Sequence, residues 1–333
     1  MAKEIELKLR LTPENTVPLA HWLDQHLTAS GEKRLMNDYY DTPDLLLQRN
    51  RAAMRVRATG GGYEQTLKTR GRSVAGMHVR GEWNWPLATG ELDISLLQDP
   101  EVAECLPSDS DLSTLEKVFG THFRRRRWLA GEGTSRIEVV IDEGEVVAGG
   151  TTQPLCETEL ELLSGDPADL WQLVSQMQQQ APLWLSDISK AERGYRQAGK
   201  AGQWLPPQVD DSDWSAFLSS SLTVLQRAVE SRLFDPAGGA ADALWRAGYP
   251  LWCVLNGRPA ECLARLLPEL TDGVPDETLS AAQSLTELSR LLYEMCQSSQ
   301  DSPADWQSLV REARSTLADM IECGNGFTTL IRE

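Results

Sequence analysis

The sequence predicts an α+β chain, in which a closed eight-stranded antiparallel β-barrel with helices packed outside is followed by a small all-α domain. Three observations predict it. Residues 1–200 contain eight short segments in which apolar and polar side chains alternate, the period of a strand. Residues 210–333 lack that alternation and space their apolar residues as a helix does. Between them, GKAGQWLPPQVDDSD at 199–213 is rich in Gly, Pro and Asp and reads as a linker, which divides the chain into domains at 1–200 and 201–333.

The alternating segments are 3–10, 35–41, 53–58, 63–69, 77–87, 123–130, 135–147 and 155–163, with helical stretches at about 12–29 and 167–180. The TGGG at 59–62 joins its neighbours as a hairpin. Eight mostly antiparallel strands in this length fit a closed barrel. The second region predicts three or four helices. Segment 214–233 puts Trp214, Leu218, Leu222, Leu225 and Val229 on one stripe, and 278–296 does the same with Leu285, Leu288, Leu292 and Met295. Segment 303–323 has Ser302 as its cap and Pro303 at the first helical position.

Composition narrows the function classes. The chain of 333 residues is 41% hydrophobic and 24% charged, the profile of a globular protein. No run of about 18 apolar residues predicts a membrane span, and the charged start MAKEIELKLR has no apolar signal core, so a cytoplasmic location is expected. Six cysteines are scattered without a C-x-x-C spacing, which predicts reduced packing residues. A net charge of −17 argues against a nucleic-acid partner. The charge is unevenly spread: residues 1–200 hold 23 of the 32 cations against 30 acids, whereas 201–333 hold 9 cations, all Arg, against 19 acids. The first region therefore concentrates both signs.

Alternate side chains of a strand share a face. In KEIELKLR, Glu4, Glu6, Lys8 and Arg10 point one way and Ile5, Leu7 and Leu9 the other. Arg55 and Arg57 share a face, as do Glu64, Thr66 and Lys68, and His78, Arg80, Glu82 and Asn84. The same holds for Arg136, Glu138 and Asp142, and for Glu157, Glu159 and Glu161. Six strands with an apolar face opposite a charged one predict a barrel whose charges point inward and whose apolar exterior lies under helices. Burying so many charges costs several kcal/mol each unless they are paired or bind ions, so the inward set predicts a site. Carboxylates two apart on a strand suit Mg²⁺ or Mn²⁺, hard cations that prefer oxygen. Facing Arg and Lys suit phosphate oxygens. Together they suit a metal–triphosphate complex.

These residues resemble a known family. EIELK at 4–8 matches the E-x-E-x-K signature of the CYTH domain, the triphosphate tunnel metalloenzymes. The order that follows strengthens the resemblance: MRVR, TLK, RGEWN, RRRRW, IDEGEV, ETELEL and SKAERGY at 189–195, spanning about residues 1–196. Within the family the sequence is similar to bacterial inorganic triphosphatases that carry a helical CHAD domain. The resemblance implies that Glu4 and Glu6 with Glu157 and Glu159 hold metal, with Asp142 and Glu161 as further contributors. It implies that Lys8, Arg55, Arg57, Lys68, Arg125, Arg127 and Lys190 line a tunnel and hold phosphates, with Arg80 and Glu82 also in the lining. In RRRRW the inward pair must be two apart; Arg125 and Arg127 fit the spacing to Trp128, and a one-residue slip exchanges them for Arg124 and Arg126.

Other residues receive ordinary expectations. His21 and His26 are surface residues on the first helix, and His78 lacks a second histidine as metal partner. No Ser-His-Asp or Cys-His arrangement predicts a covalent nucleophile, and TGGGY lacks the Lys of a P-loop. CHAD domains are rich in His, Lys and Arg; here residues 201–333 hold no His or Lys and are net −10, so a shortened, degenerate copy with a packing, self-association or protein-partner role is expected. The implied function is metal-dependent hydrolysis of inorganic triphosphate, with Glu4, Glu6 and Lys8 closest to the chemistry. The alternatives are an adenylate cyclase or thiamine-triphosphatase of the same fold, or a non-catalytic binder of nucleotides or polyphosphate.

Overall fold

The computed structural model describes residues 2–69, 72–74, 77–106, 111–131, 135–200, 209–234, 241–271, 279–298 and 302–323. The elements, in order, are β1 (Ala2–Arg10), α1 (Pro13–His26), β2 (Thr28–Asp41), α2 (Leu46–Arg49), β3 (Ala53–Thr59), β4 (Gly62–Lys68), β5 (Arg72–Val74), β6 (Met77–Leu87), α3 (Pro100–Ala103), β7 (Glu116–Ala130), β8 (Arg136–Ala148), β9 (Thr151–Ser164), α4 (Ala168–Met177), β10 (Trp184–Leu185), α5 (Lys190–Gln197), α6 (Trp214–Phe234), α7 (Ala241–Val254), α8 (Arg258–Thr271), α9 (Leu279–Gln297) and α10 (Trp306–Cys323).

The strands form one curled antiparallel sheet in the order β10-β1-β9-β8-β7-β2-β3-β4-β6-β5. β1 is paired on both sides. Glu6 lies opposite Glu161 and Lys8 opposite Glu159 on β9, while Glu4 lies opposite Arg80 and Glu6 opposite His78 on β6.

The alternation of β1 decides which face goes where. Leu7 and Leu9 are fully buried on the outer face, in one core with Leu19 and Leu23 of α1 and Leu170, Trp171 and Val174 of α4. That core continues without a break into Phe217, Leu222 and Leu225 of α6 and Leu285, Leu288 and Leu292 of α9. Burying each Leu fully contributes about 1.5–3 kcal/mol, so the helical region and the sheet are held by shared apolar surface. Among the described residues no helix is long and apolar enough to cross a membrane.

The inner face carries the charges, and one end of it is filled. Tyr39, Phe119, Ala148 and Tyr195 pack together, beside Leu35, Phe123, Val146 and Leu155. The Tyr39 and Phe119 rings stack at 4.5 Å, and Tyr195 meets Phe119 edge-on at 5.0 Å. Tyr195 belongs to α5, which lies against this face; a Cβ on Gly194 would come within 2.0 Å of the Phe119 ring, so only glycine permits the approach. The Tyr195 hydroxyl donates to Asp41 at 2.6 Å and so fastens the helix to the end of β2.

Several boundaries differ from the sequence expectation. β2 begins at Thr28 rather than 35, and β7 at Glu116 rather than 123. Residues 28–34 are exposed on both faces, so they carry no alternation, yet they pair with 124–129. That pairing also ends α1 at His26 instead of 29. β9 is longer at both ends, and β5 and β10 are too short to show a period. The helical region has five helices among its described residues, not three or four. α7 and α8 carry Pro250 and Pro268 inside them, a signal that normally ends a helix. α10 starts at Trp306, not at Pro303: Pro303 opens a turn whose carbonyl accepts from the Trp306 amide at 3.2 Å, and the Asp305 carbonyl begins the helical ladder. Residues 201–208 of the expected linker lie outside the described residues.

Candidate active site

The sheet brings the inward charges together as two unlike clusters. The first is a compensated network around Lys190. The Ser189 hydroxyl caps α5 by accepting from the Glu192 amide, which sets Lys190 at the first helical position, facing the sheet. Its ammonium bonds to Asp142 at 2.8 Å, to Glu159 at 3.1 Å and to Glu157. Arg125 grips Asp142 with two bonds of 2.7 Å and reaches Glu159 at 3.0 Å. Burial opposes ionisation of Asp142 and Glu159, but Arg125 and Lys190, joined at Glu159 by Lys8, overcome it and hold both below the usual carboxylate range. Lys8, only 2% exposed, stands between Glu159 at 3.7 Å and Glu6 at 3.6 Å.

The second cluster gathers around Glu161. Glu161 lies opposite Glu6 across the β1–β9 ladder and opposite Glu138 across β8–β9. Burial and the neighbouring charges of Glu4, Glu138 and Glu6 push its carboxyl up to about 7, against the pull of Lys68. A carboxyl raised by neighbouring carboxylates is a setting that a hard divalent cation relieves.

The basic residues face them from β3, β4 and β6. Lys68 bridges Glu4 at 3.0 Å and Glu82 at 2.9 Å, and Arg55 stands 3.9 Å from Glu82. Burial works to raise Glu82, but Lys68 and Arg55 hold it at about 2. Arg57 differs: its Nε donates to the neutral Asn37 at 2.7 Å, and Asn37 is fixed by bonds to Thr121. Burial, with Arg55 and Arg125 nearby, lowers its guanidinium to about 9. Among the described residues no carboxylate is bonded to Arg57, so an anion placed beside it displaces none.

The structure thus groups Glu4, Glu6, Lys8, Arg55, Arg57, Lys68, Glu82, Arg125, Asp142, Glu157, Glu159, Glu161 and Lys190 on one face. Arg127 is there too, bonded to Glu138. Arg124 and Arg126 are on the opposite face, sharing Glu143 at 2.9 and 3.0 Å, which settles the register of RRRRW. The Arg80 side chain lies outside the described residues; its backbone pairs with Glu4. His78 approaches Asp187 at 3.8 Å.

Sequence reasoning passed over several members. Asn37 sits between Leu35 and Tyr39 on a mostly apolar face, so nothing marked it. Glu138 was on the charged face of β8 but was not assigned. Glu230 had no signal: it belongs to α6, 3% exposed, bonded to Arg193 at 2.8 Å, to Arg10 at 3.1 Å and to the Ser186 hydroxyl at 2.5 Å. Arg193 in turn lies 3.6 Å from Glu157.

Two acidic groups fit a metal to different degrees. Ligand oxygens of Asp142, Glu157 and Glu159 lie within 4.8 Å of one another. Lys190 occupies their midst, so a cation there must displace an ammonium with three carboxylate bonds. Glu161, beside Glu4, Glu6 and Glu138, has a carboxyl raised by its acidic neighbours, which a hard cation such as Mg²⁺ or Mn²⁺ would relieve.

Residues 2–195 match the CYTH domain family. The chain is 37% identical over 250 residues to an inorganic triphosphatase of Haemophilus influenzae, covering 71% of this chain and 70% of that protein. Among solved structures it is similar to a Hippeastrum protein described as a putative adenylyl cyclase with a dominant triphosphatase activity, at TM-score 0.47 and 20% identity over 60% of this chain and 98% of that one. A putative adenylate cyclase from Bacillus halodurans is similar at TM-score 0.38 and 21% identity over 58% of this chain and 98% of that one.

Proposed function

The chain belongs to the CYTH domain family, and on that premise we propose that it hydrolyses inorganic triphosphate to diphosphate and phosphate with the help of Mg²⁺ or Mn²⁺. The observation that carries this is the occurrence, on one face, of the raised carboxyl of Glu161 among Glu4, Glu6 and Glu138 and of a guanidinium, Arg57, that has no bonded carboxylate among the described residues. A pure polyanion binder gains nothing from the first, and a pure metal site gains nothing from the second. The similarity to the Haemophilus influenzae triphosphatase supports the choice of substrate.

The pairing of β1 with both β9 and β6 supports a closed eight-stranded barrel, with the charged face as a tunnel. Residues 1–200 would form this tunnel domain and 201–333 a helical domain of shortened CHAD type. Glu4, Glu6 and Glu161 hold the metal, with Glu138 close by; Asp142, Glu157 and Glu159 instead fix Lys190 and Arg125. A bound divalent cation polarises a phosphoryl oxygen and offsets part of the substrate's charge. Arg55, Arg57, Lys68, Arg125, Arg127 and Lys190 hold phosphate oxygens and stabilise charge on the transferring group. Water attacks the terminal phosphorus as its bond to the diphosphate oxygen breaks, and Lys8 stands beside the acidic cluster where that water is oriented. Diphosphate leaves as the basic residues release it.

The test is phosphate release from triphosphate, ATP and thiamine triphosphate, side by side, with Mg²⁺, Mn²⁺ or chelator. Triphosphate should be cleaved fastest and only with metal. Preference for ATP or thiamine triphosphate reassigns the substrate, and undiminished turnover in chelator removes the metal from the scheme.

A further inference from the structure

The helical region reaches the charged face through Glu230. This side chain belongs to α6, yet its bonded partners among the described residues, Arg193, Arg10 and the Ser186 hydroxyl, all come from the first 200 residues. Ser186 is itself tied to β1, its amide donating to the Lys8 carbonyl at 2.9 Å. We propose that Glu230 is a positioning residue for the tunnel: by holding Arg193 it keeps Glu157 on Lys190, and so limits how tightly the tunnel grips phosphate groups. That the gripped groups are substrate and product rests on the function proposed above.

The geometry is a choice between two carboxylates. One Nη of Arg193 is 2.8 Å from Glu230 and 3.6 Å from an oxygen of Glu157. The first distance is a hydrogen bond and the second is too long for one. That Glu157 oxygen is buried and accepts no hydrogen bond among the described residues, and the Arg193 Nε–H is buried and likewise without an acceptor. The other Glu157 oxygen accepts from Lys190. A small movement would thus join Arg193 to Glu157, and Glu230 is the group that holds it back. Arg10, the second guanidinium on Glu230, lies over the Phe234 ring of α6 at 4.4 Å, a cation–π contact that keeps it where it is. The arginine free to turn is Arg193.

Removing the charge of Glu230 has two effects of the same sign. Arg193 turns to Glu157 and draws it from Lys190, whose ammonium keeps Asp142 at 2.8 Å and Glu159 at 3.1 Å. An ammonium with fewer carboxylates competing for it binds phosphate oxygens more firmly. The face also gains one positive charge beside the network. Substrate and diphosphate should both be held more tightly, which lowers KM without raising kcat.

The test is calorimetric titration of diphosphate with Mg²⁺ into the full chain, Glu230→Gln, Glu230→Asp and the double variant Arg193→Gln/Glu230→Gln, paired with KM for triphosphate hydrolysis. Glu230→Gln should bind diphosphate at least about fivefold more tightly, as one uncompensated charge near a polyanion does at the effective dielectric of a protein site, and its KM should fall. Mere loss of folded molecules lowers the active fraction but tightens neither. The double variant should lose the gain. Glu230→Asp keeps the charge and draws it one methylene back from Arg193, so it should fold and tighten binding by a smaller margin; it carries the test if Glu230→Gln does not fold. Wild-type affinity and KM in every Glu230 variant that folds, or a gain that persists in the double variant, overturns the inference and leaves the proposed function standing. Tighter diphosphate binding in a protein that does not hydrolyse triphosphate overturns the function and leaves the role of Glu230. A wild type that binds no diphosphate overturns both.

Discussion

Glu230 of α6 bonds to Arg193 of α5 at 2.8 Å and holds that guanidinium 3.6 Å from Glu157. A buried carboxylate of the helical region thereby sets the charge next to the Lys190 network. Burial opposes its ionisation, but Arg193 and Arg10 keep Glu230 below the usual carboxylate range. Glu230→Gln removes the charge that two buried arginines share, and should cost about 3 kcal/mol, the lower end for breaking a buried pair. Urea unfolding measures this; an unchanged midpoint would show that the pair is solvated. For the same reason residues 1–200 alone should be less stable than the full chain, with Leu7 and Leu9 losing cover as well.

The raised carboxyl of Glu161 gives stability a pH dependence of defined sign. Its folded value of about 7 lies above the ordinary carboxyl value of 4.5. The unfolded chain therefore releases this proton first. The group's contribution is intact below the unfolded value and declines as pH rises towards 7. Without metal, the melting temperature should fall over this window more steeply for the wild type than for Glu161→Gln. Saturating Mg²⁺ should flatten the wild-type curve. Parallel curves with and without metal would place the cation elsewhere.

Arg57→Ala should weaken triphosphate binding strongly and change apo stability little. The side chain's hydrogen-bond partner is a neutral amide, and two neighbouring guanidiniums repel it. Removing it therefore relieves repulsion while deleting a phosphate donor. Binding calorimetry with Ca²⁺ present and absent should also show metal and triphosphate reinforcing each other by about 1–3 kcal/mol. Wild-type affinity in the variant would remove Arg57 from the substrate site.

Gly194→Ala tests the seat of α5. An added Cβ would lie 2.0 Å from the Phe119 ring, with Tyr39 stacked behind it. Overpacking of this kind costs roughly 1–3 kcal/mol. The displaced helix should also carry Lys190 away from Asp142 and Glu159, so turnover should fall together with the melting temperature. Normal values for both would mean that α5 shifts freely on the sheet.

Much of the site was legible because strands report their faces directly. Glu4, Glu6 and Lys8, or Arg55 and Arg57, needed no tertiary information to be placed on one side. The register of RRRRW was not legible, since four identical residues look the same after a one-residue slip; the Arg125–Asp142 and Arg126–Glu143 bonds fix it. Partners that come from distant elements left no local trace. Asn37 became visible only when β2 lay beside β3, and Glu230 only when α6 lay over β1. Helix number failed at Pro250 and Pro268, where packing overrode a breaker.

The double pairing of β1 has a consequence for the order in which the protein is made. β1 precedes its partners in the chain by a long way: β6 begins at Met77, β9 at Thr151, and Glu230 follows later still. Until those segments exist, the E-x-E-x-K strand has two unsatisfied edges and an uncovered apolar face. Closing contacts so far apart along the chain is slow. The nascent strand must therefore wait for both partners as an aggregation-prone segment, and its alternating Glu and Lys charges oppose pairing with another copy, as charged side chains on an open edge do.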